Sequence, residues 1–237
     1  MSVFITGDLH GDFKDIQAIP ERCPIGERDI LLVAGDFGVP WYDSYYIKGW
    51  RKDREILDWF DHQPYITAFV DGNHENFDNL YARPVEEKWG GKVHKINDHV
   101  FHLCRGEVFD FLGDGKKTFV FGGATSVDKD WRTEGESWWS EENASQEEMD
   151  YGKSQLEALD WNIDYVITHT APKQFTPEFY KYMSFKLDVP CPTQNYLTEL
   201  ADCLTWKKWY FGHFHGDDKS IEQRARLLYD DIVLFGD

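Results

Sequence analysis

Short apolar runs that end in polar residues recur along the chain. Five of them precede candidate ligands, and they cover residues 1–6, 30–34, 65–70, 165–167 and 209–211. Apolar runs of this length, bounded by turn residues, are typical of strands buried on both faces. Between the early runs, apolar residues recur at helical spacing in residues 13–19 and 50–62. The alternation of strand and helix predicts a parallel sheet. We expect Pro20 to end the first helix.

The pattern changes between about Lys92 and Thr125, where short apolar stretches are separated by Asn, Asp and Gly turn residues. This pattern predicts an antiparallel meander that begins a second sheet. Residues 126–142 are polar and aromatic without a clear period, so we predict a long loop there. Ser145 and Glu148 have the spacing of a helix-capping box, and a helix is expected to begin at that point.

The last third of the chain predicts one more helix over Leu197–Leu204 and two closing strands over Leu227–Phe235. We find no internal repeat of fixed period. At 237 residues the chain is long enough for one large domain with a sizeable core. We therefore predict a single domain over residues 1–237 of the α/β (α+β) class. Two mixed β-sheets would pack face to face as a sandwich, with helices outside it.

The charge balance narrows the function classes. The chain has 25 Lys and Arg against 43 Asp and Glu, and its formal net charge is −18. A non-specific grip on nucleic acid needs clustered basic residues, so we expect a small, metal-neutralised substrate and no nucleic-acid partner. The four cysteines show no Cys-x-x-Cys spacing, and we find neither a leader nor an apolar run of roughly 20 residues. These features predict a cytoplasmic protein without a membrane role.

Polar side chains with metal-binding chemistry follow each of the five runs. They occur in the stretches Gly7-Asp8-Leu9-His10-Gly11, Gly35-Asp36, Gly72-Asn73-His74-Glu75, Thr168-His169 and Gly212-His213-Phe214-His215. A carboxylate and an imidazole two residues apart at a strand end can bind one divalent cation, and glycine lets the backbone approach closely. Each stretch alone also fits a turn or a cap. Five of them at successive strand ends favour a metal site.

Other histidines and aromatic residues lack this context. We interpret four histidines as surface or cross-strand residues, namely His62, His94, His99 and His102. The tryptophans of the predicted loop are Trp131, Trp138 and Trp139. They fit a packed lid or a satellite core, with a base-stacking platform as the alternative.

The ordered set of motifs, from residue 7 to residue 215, resembles the calcineurin-like metallophosphoesterase superfamily. The resemblance implies the two-sheet fold, hydrolysis of phosphate esters and two divalent metal ions. Mn²⁺ is the first candidate, and Fe, Zn²⁺ and Mg²⁺ are alternatives because mixed carboxylate, amide and imidazole ligands suit them all. In the family, one metal is held by the residues matching Asp8, His10 and His215, the other by those matching Asn73, His169 and His213, and both by the carboxylate matching Asp36.

The resemblance also implies the chemistry. Two cations roughly 3.5–4 Å apart can generate a hydroxide at neutral pH and clamp the phosphoryl oxygens for in-line attack. Asp36 and His74 would then be the catalytic residues, with His74 as a donor to the developing charge or to the leaving oxygen. Asn73 and His74 are expected to contact the substrate, with Arg132 as a further candidate.

The chain departs from one branch of the superfamily. In the phosphoprotein phosphatases, an orienting Asp and a phosphate-binding Arg stand where this chain has Val39 and Pro40. A second Arg stands where this chain has Asp71. We therefore do not expect protein phosphatase activity, and we expect diesters to be preferred over monoesters. Arg132 and Arg105 are the candidates to replace the missing cations.

The function predicted is that of a metal-dependent phosphoesterase, acting on a small phosphodiester or phosphomonoester. The alternatives are a non-catalytic binding scaffold of the same fold, or a phosphoprotein phosphatase or nuclease of the same superfamily. A scaffold has no need of seven ligands, and a nuclease would need a basic channel. The native metals, the physiological substrate and the oligomeric state are left open.

Overall fold

A computed structural model describes the chain at residues 1–42, 49–177, 180–181, 189–218 and 224–237. Its strands are, in chain order, β1 Val3–Thr6, β2 Ile30–Val33, β3 Ile66–Phe69, β4 Val85–Lys88, β5 Gly91–Lys95, β6 Val100–Leu103, β7 Val108–Phe109, β8 Thr118–Phe121, β9 Tyr165–Thr168, β10 Lys208–Phe211, β11 Ala225–Leu227 and β12 Val233–Leu234. They form a seven-stranded sheet in the order β12-β1-β2-β3-β6-β5-β4 and a five-stranded sheet in the order β11-β10-β9-β8-β7.

Both sheets are mixed. In the first sheet β1, β2, β3 and β6 run parallel, and β12, β5 and β4 pair antiparallel at its edges. In the second sheet β8, β9, β10 and β11 run parallel, and β7 pairs antiparallel with β8. The predicted pair of mixed sheets is therefore confirmed. The parallel strands of each sheet end at one edge, which is where the candidate ligands follow.

The helices of the described residues are α1 Phe13–Arg22, α2 Trp50–Asp61, α3 Phe77–Tyr81, α4 Gln146–Glu157 and α5 Pro192–Cys203. The side chain of Asp12 caps α1 by accepting hydrogen bonds from two backbone N–H groups of its first turn. The predicted capping box is present at α4, where Ser145 and Glu148 bond each other's backbone. Among the described residues, the helices are too short or too polar to traverse a bilayer.

Three apolar layers hold the sheets and helices together. Val3 and Ile5 of β1 pack with Ile167 of β9 between the two sheets. On the outer face of the first sheet, α1 and α2 contribute residues to one cluster with β1, β2 and β3. On the outer face of the second sheet, α4 and α5 pack against β8, β9 and β10. Because the central strands bury both faces, they read in sequence as continuous apolar runs, whereas the edge strand β4 is exposed and mostly charged.

Three local predictions need correction. Pro20 does not end α1, which continues to Arg22 because Cys23 N–H still bonds the Ile19 carbonyl. The predicted meander does not begin a second sheet as one unit. Its first part, β5 and β6, lies in the first sheet, and only β7 and β8 lie in the second. Helix α5 begins five residues earlier than predicted, since Pro192 suits a first helical position and Cys191 caps it.

Candidate metal centre

The carboxyl ends of five parallel strands deliver all seven candidate ligands to one place. These strands are β1, β2 and β3 of the first sheet and β9 and β10 of the second. The ligands that follow them are Asp8, His10, Asp36, Asn73, His169, His213 and His215. A crevice at the carboxyl ends of parallel strands is the usual location of sites in such folds. Here it lies where the two sheets meet.

Four of the seven candidate ligands form a first group. One ligand atom from each of Asp8, His10, Asp36 and His215 lies within 4.8 Å of the others. The Nε2 atoms of His10 and His215 are 3.1 Å apart, although the two residues are 205 positions apart in sequence. Two imidazole nitrogens that point at one spot suit a shared cation.

A second group meets around His169, which is fully buried. Its Nε2 atom lies 3.3 Å from Asp36 Oδ1 and 3.2 Å from Asn73 Oδ1. Its Nδ1 donates to the Ala34 carbonyl at 2.8 Å, which leaves Nε2 for a cation. The Asn73 amide donates to Ser126 Oγ at 3.1 Å, so its oxygen also faces His169. The two groups share Asp36, because its other oxygen lies 3.8 Å from Nδ1 of His10.

His213, which follows β10 of the second sheet, lies beside the second group. Its ring centroid lies 5.0 Å from that of His169. Its Nε2 atom is 2.8 Å from the hydroxyl of Tyr180, which leaves Nδ1 of His213 for a cation. Its backbone N–H donates to both oxygens of Asp8, at 3.0 and 3.1 Å, and so positions that carboxylate. Sequence reasoning missed Tyr180, because no motif marks its part of the chain.

The local backbone is adapted to this crowding. A side chain at Gly72 would overlap the carboxylate of Asp36, and one at Gly35 would overlap the ring of His169. These two motif glycines thus make room for ligands from different motifs. Four ligands have positive φ angles of 47° to 68°, namely His10, Asp36, His213 and His215. Such residues cost roughly 1–3 kcal/mol each and cluster at functional sites.

The electrostatics of the ligands are mixed: three histidines are held neutral, whereas Asp8 and His169 have raised pKa values, so a bound cation would displace protons from them. Burial raises the pKa of Asp8 to about 7, against the nearby charge of His169. Burial acts in the same direction on Asp36, but the charge and hydrogen bond of His169 hold the pKa of that carboxyl well below its usual range. Burial acts to lower the pKa of His169, but Asp36 raises it to about 9. Burial lowers the pKa of His10, His213 and His215, which leaves the neutral form that binds metals.

Glu75 is a positioning residue that the sequence motif contains but for which we predicted no role. Its buried carboxylate accepts hydrogen bonds from the backbone N–H groups of Phe37 and Gly38, at 2.8 and 3.1 Å. It therefore ties the turn after β3 to the turn after β2. The backbone N–H of His74 donates to Asp36 Oδ1 at 2.7 Å and reinforces this link.

A cavity of about 360 Å³ opens onto the ligands, and Arg132 and His74 line it. Nη1 of Arg132 lies 3.2 Å from Nδ1 of His74. Asp128 holds the guanidinium through Nε at 2.9 Å and Nη2 at 2.8 Å. The structure thus places Arg132 beside the predicted ligands and His74. Asp128 is a neighbour that sequence reasoning missed, because it lies in a loop without periodicity.

Arg105 lies elsewhere. Its guanidinium is buried and donates to both Asp71 and Glu148. Asp71 occupies the position where the phosphoprotein phosphatases have an arginine. In this protein it instead binds Arg105, which lies in the turn after β6. Arg105 cannot reach the cavity while it holds Asp71, so of our two candidates only Arg132 lines the site.

The remaining histidines follow our interpretation in part. His94 and His102 are cross-strand partners on β5 and β6, and His62 and His99 lie at the surface. His102, however, is not a surface residue but is fully buried. Its ring donates a hydrogen bond to Asp71 at 3.0 Å.

The predicted loop of residues 126–142 contains two short 3₁₀ turns and carries Arg132 to the cavity. Trp139 is buried, and its indole N–H donates to Asp78 at 2.9 Å. Trp131 is 82 % exposed, and Lys129 lies over the Trp138 ring. The three rings therefore do not form one stacking surface. Trp139 supports the satellite-core interpretation, because it packs with the cluster around α1 and α2.

The donor set fits two divalent cations. Carboxylate, amide and imidazole atoms converge in two groups, and Asp36 presents one oxygen to each group. Among known families, the model for calcineurin-like phosphoesterases matches residues 1–217. A search of curated proteins finds no match.

Proposed function

This chain belongs to the calcineurin-like phosphoesterase family, and we propose that it hydrolyses small phosphate esters with the help of two divalent cations. The observation that carries the proposal is one cavity lined by four of the seven candidate ligands together with His74 and Arg132, and the four are Asp36, Asn73, His213 and His215. A volume of about 360 Å³ suits a small ligand.

We propose that Asp8, His10 and His215 hold one cation and that Asn73, His169 and His213 hold the other, with Asp36 between them. Cations bound there supply Lewis acidity, which activates water and offsets the charge of a phosphoryl group. Mn²⁺ is our first candidate for both positions. The groups that orient these ligands are the Ala34 carbonyl, the Ser126 hydroxyl and the backbone N–H of His213.

Arg132 and His74 act on the substrate in this proposal. The guanidinium of Arg132 lies at the cavity wall, where it can donate to phosphoryl oxygens beyond the reach of the ligand side chains. His74 lies between Arg132 and His10, whose ring centroid is 5.2 Å away. His74 can therefore donate to the developing charge or to the leaving oxygen.

A second cavity gives space for a leaving group. It has a volume of about 410 Å³ and meets the first cavity at His74. Trp41, Tyr42 and Lys52 also line it. Asp53 lines it too and offsets the charge of Lys52, so the aromatic side chains suit a leaving group with a flat part. We propose that the phosphoryl group occupies the first cavity and the leaving group the second.

The position of Arg132 changes our expectation for substrate charge. We expected a preference for diesters because neither of the two positions where the phosphoprotein phosphatases have an arginine carries a cationic side chain in this protein. Arg132 replaces one of them, although Asp128 offsets part of its charge. We therefore propose activity on both monoesters and diesters, with Arg132 favouring monoesters.

A hydrolysis panel tests the proposal. Metal-stripped protein is refilled with Mn²⁺, Zn²⁺, Fe²⁺ or Mg²⁺ and assayed with para-nitrophenyl phosphate, bis-para-nitrophenyl phosphate, a phosphopeptide and an oligonucleotide. We expect hydrolysis of the two small esters and loss of activity in Asp36→Asn. His62→Asn, at a surface histidine, is the matched control and should keep full activity. Metal uptake without hydrolysis of any substrate would favour the scaffold instead.

A further inference from the structure

A separate cavity of about 340 Å³ lies between the edge of the first sheet and α4. His94, His102 and Cys104 line it. His94 and His102 are register partners on β5 and β6, and Cys104 follows His102 by two residues, which places it on the same face. One ligand atom from each of the three lies within 4.8 Å of the other two.

His102 carries the observation that points to a ligand. Its side chain is 1 % exposed, and its Nε2 atom lies 3.0 Å from Asp71 Oδ1. The other oxygen of Asp71 accepts a hydrogen bond from Arg105 Nε at 2.9 Å, so both carboxylate oxygens are acceptors and the Nε2 atom of His102 donates its proton to Oδ1. The Nδ1 atom then has a lone pair, and it has no hydrogen-bond partner among the described residues. A buried polar atom left in this way costs about 1–3 kcal/mol.

We propose that His94, His102 and Cys104 form an additional metal site for a thiophilic cation such as Zn²⁺. Nδ1 of His94 lies 3.0 Å from the Arg83 carbonyl, which leaves its Nε2 for the cation. Asp71 stands behind His102 as the carboxylate that orients a ligating imidazole. Two imidazoles and a thiolate leave a fourth tetrahedral position for water from the cavity.

The charges around the cavity favour a cation. Three carboxylates and two cationic side chains form ion pairs there. The carboxylates are those of Asp71, Glu107 and Glu148, and the cations are Lys92 and Arg105. Burial raises the pKa of the Cys104 thiol to about 12, with the nearby carboxylates acting in the same direction. The thiol is therefore protonated without a cation, and binding would release one proton to solvent as the sulfur–metal bond forms.

This site is distinguishable from the candidate metal centre by its sulfur ligand. The seven ligands of the centre offer oxygen and nitrogen atoms only. A thiolate bound to Co²⁺ gives a charge-transfer absorption in the near ultraviolet, which oxygen and nitrogen ligands do not give. The inference is therefore independent of the proposed function, and a failed hydrolysis assay would not affect it.

The test is a Co²⁺ titration of the full-length, metal-stripped protein, followed by competition with Zn²⁺. We expect a thiolate charge-transfer band whose final intensity corresponds to one Co²⁺ per chain and which disappears when Zn²⁺ is added. Cys104→Ser should abolish the band and lower the total uptake of Co²⁺ by one equivalent. Loss of even an orienting partner weakens metal affinity by roughly 10–100-fold, so His94→Gln should weaken the Co²⁺ affinity of this site at least tenfold.

Cys203→Ser is the matched control, because Cys203 is an exposed cysteine at the end of α5. It should keep the band and the full uptake of Co²⁺. Absence of the band in the wild-type protein would overturn the proposal, whatever the folding of the variants. A band that persists in Cys104→Ser and is lost in Cys203→Ser would overturn it equally.

Discussion

Arg132 lies against His74, with Nη1 3.2 Å from one imidazole nitrogen and Nη2 3.4 Å from the other. The contact joins the loop of residues 126–142 to the turn after β3, across 58 positions of sequence. It brings a guanidinium to the cavity that the candidate ligands share. The first two predictions concern the two members of this pair.

Arg132→Ala should lower kcat/KM for para-nitrophenyl phosphate by roughly 10²-fold, as expected for loss of one donor to a developing charge. The effect on bis-para-nitrophenyl phosphate should be smaller, because a diester carries one negative charge fewer. The measurement is the ratio of the two specificity constants at equal metal loading. Arg54→Ala, which removes an exposed arginine of α2, should leave the ratio unchanged. Equal losses for both substrates would refute a role in charge selection.

His74→Asn should keep its metal content and lower turnover by roughly 10²–10⁴-fold, the range for a lost proton donor. Burial lowers the pKa of His74, so its imidazole donates only a hydrogen bond unless the negative charge of a bound phosphoryl group raises that pKa and protonates it. A series of aryl phosphates separates its two possible roles. If His74 protonates the leaving oxygen, the loss should grow as the leaving group becomes poorer. A constant loss along the series would leave only electrostatic stabilisation of the transition state.

Asp36→Asn should lose most of the binding of both metals. The two oxygens of Asp36 face different histidines, His169 at 3.3 Å and His10 at 3.8 Å, so one substitution affects both groups. Elemental analysis after Mn²⁺ loading should give about two equivalents for the wild type, as for other paired sites. Asp15→Asn, at an exposed carboxylate of α1, should also give two. One tightly held metal in Asp36→Asn would argue against a bridging carboxylate.

Asp71→Asn should destabilise the metal-free protein at pH 7 by about 3–5 kcal/mol, because it removes the buried carboxylate that pairs with Arg105 and leaves only the partly exposed Glu148. The native pKa of Asp71 lies below its unfolded value of about 3.9, so its stabilisation is fully present above pH 4 and is lost as the pH falls toward the native pKa. The measurement is urea unfolding at several pH values from 7 to 3. The difference in unfolding free energy between the variant and the wild type should shrink at the acidic end.

The control for this titration is Asp114→Asn. Asp114 pairs with Lys116 in an exposed turn, where an ion pair contributes little. Its unfolding free energy should follow that of the wild type over the whole pH range. A difference between Asp71→Asn and the wild type that stays constant down to pH 3 would contradict the assigned protonation state of Asp71.

The strand ends and the ligands that follow them were determined by the sequence. A buried parallel strand needs a continuous apolar run, and the chain must turn where the run ends. Both signals are local, so the positions of Asp8, Asp36 and His169 after β1, β2 and β9 could be predicted. The same holds for the capping box of Ser145, whose partners lie three residues apart.

Pairings between distant residues were decided only by the tertiary structure. The sequence offered both Arg105 and Arg132 as replacement cations, and only the fold buries one with Asp71 and brings the other to His74. Likewise, β5 and β6 joined the first sheet because β6 pairs with β3 across some 30 residues. Burial and pairing depend on what packs against a residue from elsewhere in the chain, and no local pattern records that neighbour.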